Sequence, residues 1–346
     1  MNKRERFINF LNNKPVDRVP IAFYHHYLND MMLYNMNQGL TNKKLYEKNI
    51  EGHKLSRQKF DPDVVKIMND SLMIMPLDVS GIKKPEDLIK IKPQAADSKW
   101  ADLSINLAKK VKEIYADTDA PVFFTSFGPS YIMRSNFARI GNLMAGTRFF
   151  ESKILKFMQE NPEAVKELAI NLSKGVVEFN QRLFDEAKID GIYFSVNNQN
   201  NFFASQVYRD VITPGDRMIL EHANSLSSMN LFHICGYRGK ANDLNTFKDY
   251  EAAAYNWAVH AEGVSLSEGK RFFDGKPVFG GFEQAGVIAK GDRQQIEKEV
   301  FKILDDSGQI GVMLGADCTV PTNFDDSRLN WVREACEKYA EKASFN

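Results

Sequence analysis

Gly191-Ile192-Tyr193-Phe194-Ser195-Val196, an amphipathic stretch over 214–227, and Leu231-Phe232-His233-Ile234-Cys235 form one strand–helix–strand unit whose reading decides the fold. Both end segments are apolar at nearly every position, the signature of strands buried on two faces. A half-exposed antiparallel strand would alternate instead. The same pattern recurs outward in both directions. Apolar runs at 19–24, 64–69, 122–127, 253–259, 278–282 and 312–316 bring the total to eight. Helical patterns at 162–187, 293–306 and 325–343 lie between or after them. The first of these opens with Asn161 as N-cap and Pro162 at the first helical position. Eight repeats in 346 residues predict an α/β protein, a (β/α)₈ TIM barrel in preference to an open sheet. The glycine fingerprint that follows the first strand of an open nucleotide-binding sheet is missing. Residues 30–60 and 81–118 carry extra N-terminal helical material that decorates such a barrel. No Pro/Gly/Ser-rich linker divides the chain, so 1–346 reads as one domain.

Composition narrows the function. At 43% hydrophobic and 26% charged the chain has the make-up of a soluble globular protein. Lys plus Arg and Asp plus Glu balance at 45 each, which excludes the basic footprint of a nucleic-acid binder. No uncharged apolar run reaches the roughly 18 residues of a membrane span. The opening Met1-Asn2-Lys3-Arg4-Glu5-Arg6-Phe7 has no apolar core of a signal peptide. Three scattered cysteines make no disulfide framework, and a cytoplasmic location is expected. Cys336, inside the last helical pattern, reads as a packing residue.

His233, Cys235 and Cys318 offer one imidazole and two thiols, a soft set suited to zinc. Residues i and i+2 of a strand share a face, so His233 and Cys235 can reach one point. A cysteine in an apolar strand is also ordinary filler. The barrel tips the balance. Active sites of this fold lie at the C-terminal ends of the strands, where the fifth strand ends at Cys235 and the eighth precedes Cys318. Three protein ligands would leave a fourth position open, as catalytic zinc requires.

Several segments together resemble the uroporphyrinogen decarboxylase superfamily over nearly the whole chain. They are Arg4-Glu5-Arg6-Phe7, Pro15-Val16-Asp17-Arg18-Val19-Pro20, Phe60-Asp61-Pro62-Asp63 leading to Asp70, Phe127-Gly128-Pro129, Pro277-Val278-Phe279-Gly280-Gly281-Phe282-Glu283 and Cys318-Thr319-Val320-Pro321. The resemblance implies the same barrel. It also implies that Asp70 stands at the family's catalytic aspartate, although an aspartate after a strand is equally a loop or helix cap. Decarboxylases of the family carry an arginine-rich loop after the first strand to grip propionates, yet Ile21-Ala22-Phe23-Tyr24-His25-His26-Tyr27-Leu28-Asn29-Asp30 has no arginine. Charge-assisted partners are what a polycarboxylate needs. A second branch moves a methyl group between a methylated corrinoid and a thiol such as coenzyme M, with zinc ligands in the pattern H-x-C…C. His233, Cys235 and Cys318 match that pattern residue by residue.

The resemblance therefore implies a Zn²⁺-dependent methyltransferase. Its methylated corrinoid donor would sit on a separate carrier protein, its acceptor would be a small thiol, and the enzyme would be a monomer or homodimer. The alternatives are a decarboxylase of a tetrapyrrole or other carboxylate, and a non-catalytic tetrapyrrole- or corrinoid-binding protein. Further polar candidates gather at the expected mouth. His260 follows the sixth strand and would orient a substrate, act as acid or base, or simply be a rim histidine. Glu283 follows Gly280-Gly281 and would face a ligand or supply a fourth zinc ligand, unless the glycines serve only a tight turn. Tyr131 and Arg134 would line the cleft, and Arg238 would attract an anionic substrate tail. Of His25 and His26, alternation lets only one face inward. Asp317 is expected to point away from Cys318, and His222 reads as structural.

Overall fold

Eight parallel strands form one sheet: β1 (Ile21–Ala22), β2 (Val65–Ile67), β3 (Val122–Phe127), β4 (Gly191–Val196), β5 (Leu231–Ile234), β6 (Ala254–Trp257), β7 (Val278–Phe282) and β8 (Val312–Ala316). Their order, β1-β8-β7-β6-β5-β4-β3-β2, wraps the sheet into a nearly closed (β/α)₈ barrel. The computed structural model describes residues 1–28, 37–93, 96–138, 153–199, 204–236 and 240–344. Every strand residue is buried, which is why the strands read as continuous apolar runs. Four runs are shorter than expected, those of β1, β2, β5 and β6, and the first and last of these have a local cause. The run 19–24 keeps two ladder residues, because Pro20 has no N–H to give and only its carbonyl joins, accepting from Leu314 N at 2.9 Å. The run 253–259 stops at Trp257, and Val259 already opens a short helix, Val259–Glu262.

Side chains close the seam between β1 and β2. Asp63, fully buried just before β2, accepts from the Ile21 backbone N–H at 3.0 Å. It also takes two hydrogen bonds from Arg18, at 2.7 and 2.9 Å, and one from Arg6 at 2.9 Å. Burial alone would raise its pKa, but the two guanidinium groups dominate and hold the carboxyl below its ordinary value.

The helix Lys3–Leu11 forms the barrel's floor. It starts with a capping box, Asn2 accepting from Glu5 N at 2.8 Å and Glu5 accepting from Asn2 N at 3.1 Å. Its Phe7 and Phe10 are buried against Phe123, Tyr193, Leu231, Phe279 and Met313 of the barrel interior. Each such phenylalanine contributes on the order of 2–3 kcal/mol by leaving water. Outside, helices cover the sheet with apolar stripes. In Pro162–Arg182 the stripe is Val165, Leu168, Leu172, Val176 and Phe179, and Asn161 caps the helix by accepting from Ala164 N at 3.1 Å. The additional N-terminal helices are Lys43–Lys59 and Lys99–Ile114. Among the described residues no helix is long and apolar enough to cross a membrane. With all strands parallel, their C-terminal ends meet at one rim, and a cavity of about 150 Å³ lies inside it.

Candidate metal centre

His233 is the third residue of β5, turned inward by strand alternation, and Cys235 follows on the same face one residue past the ladder. Cys318 lies two residues beyond β8. Its loop stays beside the chain after β1 because Val320 N donates to the Tyr24 carbonyl at 2.9 Å and His25 pairs with Val320. The barrel thus joins residues 83 positions apart: the two Sγ atoms stand 3.8 Å from each other. Each of the three residues has a donor atom within 4.8 Å of the others, and all three line the cavity. Two sulfurs at about 2.3 Å from a tetrahedral zinc would be about 3.8 Å apart, the spacing found here. The hydrogen bond from Cys235 leads, with His233 and the Lys66 charge adding, in holding the Cys318 thiol well below the ordinary thiol range.

The tautomer of His233 is set from behind. Asn256 on β6 donates its amide Nδ2 to the Phe279 carbonyl at 2.7 Å and to the Ala316 carbonyl at 3.4 Å. Carbonyls only accept, so the amide is locked with Oδ1 facing His233 Nδ1. Nδ1 must then carry the proton, which leaves Nε2 as the atom with a lone pair to offer a metal. Gly280 makes room for this arrangement. Its φ is +135°, and a Cβ there would come within 2.8 Å of Asn256 Nδ2. The glycine pair reads in sequence as space for a ligand, but Gly280 is backed by the amide that orients the imidazole and Gly281 by the apolar side chains of Ile303 and Leu266.

The cavity wall combines apolar Met68, Met73, Phe127 and Phe279 with Tyr24, His26, Lys66, Asp70 and Tyr193. Tyr131 lines it too, stacked on Phe127 with ring centroids 4.6 Å apart. Asp70, 1% exposed, acts on the loop after β1. It accepts from Tyr27 N at 2.6 Å, Leu28 N at 3.2 Å and His26 Nδ1 at 2.8 Å. Burial works against its ionised form, but the His26 ring and those two N–H groups outweigh it and hold the pKa below the ordinary value. His26 faces the cavity, while His25 turns to Asp326 at 2.7 Å.

The remaining candidates lie elsewhere. His260 sits on the rim, its backbone N–H and Nδ1 both on Asp317 Oδ2 at 3.0 and 2.9 Å, outside the cavity lining. That pair also takes the Asp317 carboxylate away from Cys318. Glu283 is exposed, outside both the cavity and the three-donor cluster, so a turn at the end of β7 carries it away from the metal position. Arg134 is fully buried against Asn197 rather than in the cleft lining, and burial pushes its guanidinium down to about 10. Arg238 lies outside the described residues. Cys336 is buried in the helix Arg328–Ser344, its thiol pushed up to about 12 by burial. Two polar residues beside the cluster escape the sequence reading, Lys66 in the cavity wall and Asn256 behind His233. Each is a polar residue interrupting an apolar strand, and that interruption was the available signal.

Fold and cavity together define an α/β-barrel protein of the enzyme type, with soft metal donors at the C-terminal rim. The chain belongs to the uroporphyrinogen decarboxylase (URO-D) family, whose model matches residues 136–339, more than half of its length. No curated protein sequence matches it. Among solved structures it is similar to a methyltransferase from Methanosarcina mazei, with a TM-score of 0.68 and 15% identity over 98% of this chain and 99% of that one. It is also similar to a B12-independent methionine synthase from Shewanella sp. W3-18-1 in complex with selenomethionine. There the TM-score is 0.59, with 13% identity over 95% and 99% of the two chains. A putative vitamin-B12-independent methionine synthase from Listeria monocytogenes follows at 0.53 and 10%, over 95% and 99%. At these identities the likeness is one of fold.

Proposed function

We propose that the protein is a zinc-dependent methyltransferase that moves a methyl group from a methylated corrinoid, carried on a separate protein, to a small thiol. The observation that carries the reading is the His233–Cys235–Cys318 cluster, with its two sulfurs 3.8 Å apart at tetrahedral zinc spacing. The donor set fits the metal chemically as well. Two cysteinates and a neutral imidazole cancel the ion's formal charge and leave a fourth position open. Zinc held there would lower the pKa of a bound thiol, so that its sulfur is present as thiolate near neutral pH.

The chain's own residues do the rest. Asn256 fixes the His233 tautomer. Met68, Met73, Phe127 and Phe279 exclude water from the reacting sulfur. A methylated corrinoid would supply the methyl group: the sulfur would form the S–C bond as the carbon left cobalt, with the bonding pair staying on the corrinoid. The thiol proton goes to solvent. Size supports a small acceptor, since a cavity of about 150 Å³ matches one known to hold benzene. The described lining contains no arginine to grip the carboxylates of a tetrapyrrole. Elemental analysis of purified protein tests the reading. One zinc per chain is expected, falling to a small fraction in Cys235→Ser and Cys318→Ser. A wild-type protein without metal after zinc reconstitution sinks the proposal.

A further inference from the structure

The Asp70 carboxylate in the cavity wall is taken up by His26 and two backbone N–H groups, and beyond it and the three donors the cavity holds one more charge. Lys66 is the middle residue of β2, its neighbours Val65 and Ile67 turned outward and its own side chain turned into the barrel. It is 8% exposed, and its Nζ stands 4.1 Å from the ring centroid of Tyr193 and 5.2 Å from that of Tyr24. It makes no ion pair with a carboxylate among the described residues. Two tyrosine faces recover part of the cost of a buried ammonium, but a buried charge is fully offset only by an anion. A methionine would fill the same space without that cost. The charge itself therefore has a use.

Charge balance identifies it. With a divalent ion, two cysteinates and a neutral His233, the metal centre is formally neutral. A bound thiolate then brings one negative charge, and Lys66 supplies the one positive charge that cancels it. We propose that Lys66 is the counter-charge of the thiol site and the residue that makes it select a sulfur bound as an anion. This rests on the thiol reading above and specifies which form of the ligand the site accepts. Burial pushes the Lys66 ammonium down to about 8, against the opposing pull of Cys318, Cys235 and Asp70, so it is mostly charged at pH 7. The same balance favours turnover. Methylation converts the thiolate to a neutral thioether, Lys66 loses its anion, and the product is held less firmly than the reactant.

Binding tests this without any methyl donor. Full-length protein carrying Co²⁺ in place of zinc is titrated with 2-mercaptoethanol, and separately with its methyl thioether, between pH 5.5 and 8. The sulfur-to-cobalt absorption reports occupancy, and metal content and melting temperature are read alongside. Lys66→Met and Lys66→Gln are expected to keep one metal per chain and a folded state. Their half-saturating thiol concentration at pH 7 should rise about 10- to 100-fold, and the binding profile should move about one to two pH units upward. Thioether binding should be nearly unchanged, and Lys66→Arg should restore most of the thiol affinity. Unchanged thiol affinity and pH profile in whichever neutral variant folds overturns the assignment. A wild-type protein that takes up neither metal nor thiol overturns the thiol reading itself, and the role of Lys66 with it.

Discussion

A metal-ligating imidazole depends on the group behind it, and here that group is the amide of Asn256. Asn256→Ala is expected to weaken zinc binding about 10- to 100-fold with little change in fold, measured by competition with a chromophoric chelator. Gly280→Ala is expected to act at one remove. The new methyl group meets the amide at 2.8 Å on a backbone of φ +135°, so stability falls by about 1–3 kcal/mol and zinc affinity falls with it. Urea unfolding and the same chelator competition read both effects. Loss of stability with unchanged zinc affinity would separate the glycine from the amide. The residues of the cluster were legible because strand parity and barrel connectivity fix where His233, Cys235 and Cys318 must lie. Asn256 and Lys66 were not, because what they do is set by neighbours across the barrel and not by their own segments. Glu283 misleads for the same reason: the glycines before it adjoin Asn256 at Gly280 and Ile303 and Leu266 at Gly281, partners the local sequence does not reveal.

At the level of elements, strands β3, β4, β7 and β8 match the apolar runs residue for residue, since a strand covered on both faces carries no polar interruption at its ends. Of the four that differ, β1 departs most. It pairs by ladder only with β8, and its outgoing loop is held by one carboxylate, that of Asp70. Asp70→Ala leaves the Tyr27 and Leu28 amides without that acceptor, at an expected cost of about 1–3 kcal/mol. Amide exchange at Tyr27 and Leu28 should then accelerate while that of β4 and β5 changes little. Equal acceleration everywhere would show that the loop is not held locally by this side chain. A carboxylate after a strand reads from sequence as either a catalytic group or a cap, and only the three donors around Asp70 display its holding role.

Across the whole molecule, closure rests on a seam where side chains replace a ladder. Asp63→Asn leaves Arg18 and Arg6 facing a neutral amide in a buried place, with an expected loss of roughly 3–5 kcal/mol in urea unfolding at pH 7. The pH dependence has a definite sign. The folded pKa of Asp63 lies below the unfolded one, so its contribution is complete above about pH 4 and fades as pH falls through the folded value. Below pH 4 the variant should therefore lose less stability than the wild type, and a parallel decline would remove Asp63 from the account. Opposite the rim, Phe7 and Phe10 stop the lower end of the barrel, which makes the chamber a cul-de-sac. Under the proposed exchange both reactants reach the sulfur from the rim, and the bulky donor covers that approach. The small acceptor has to enter first and its methylated form has to wait for the donor to depart, a compulsory order that steady-state kinetics would record.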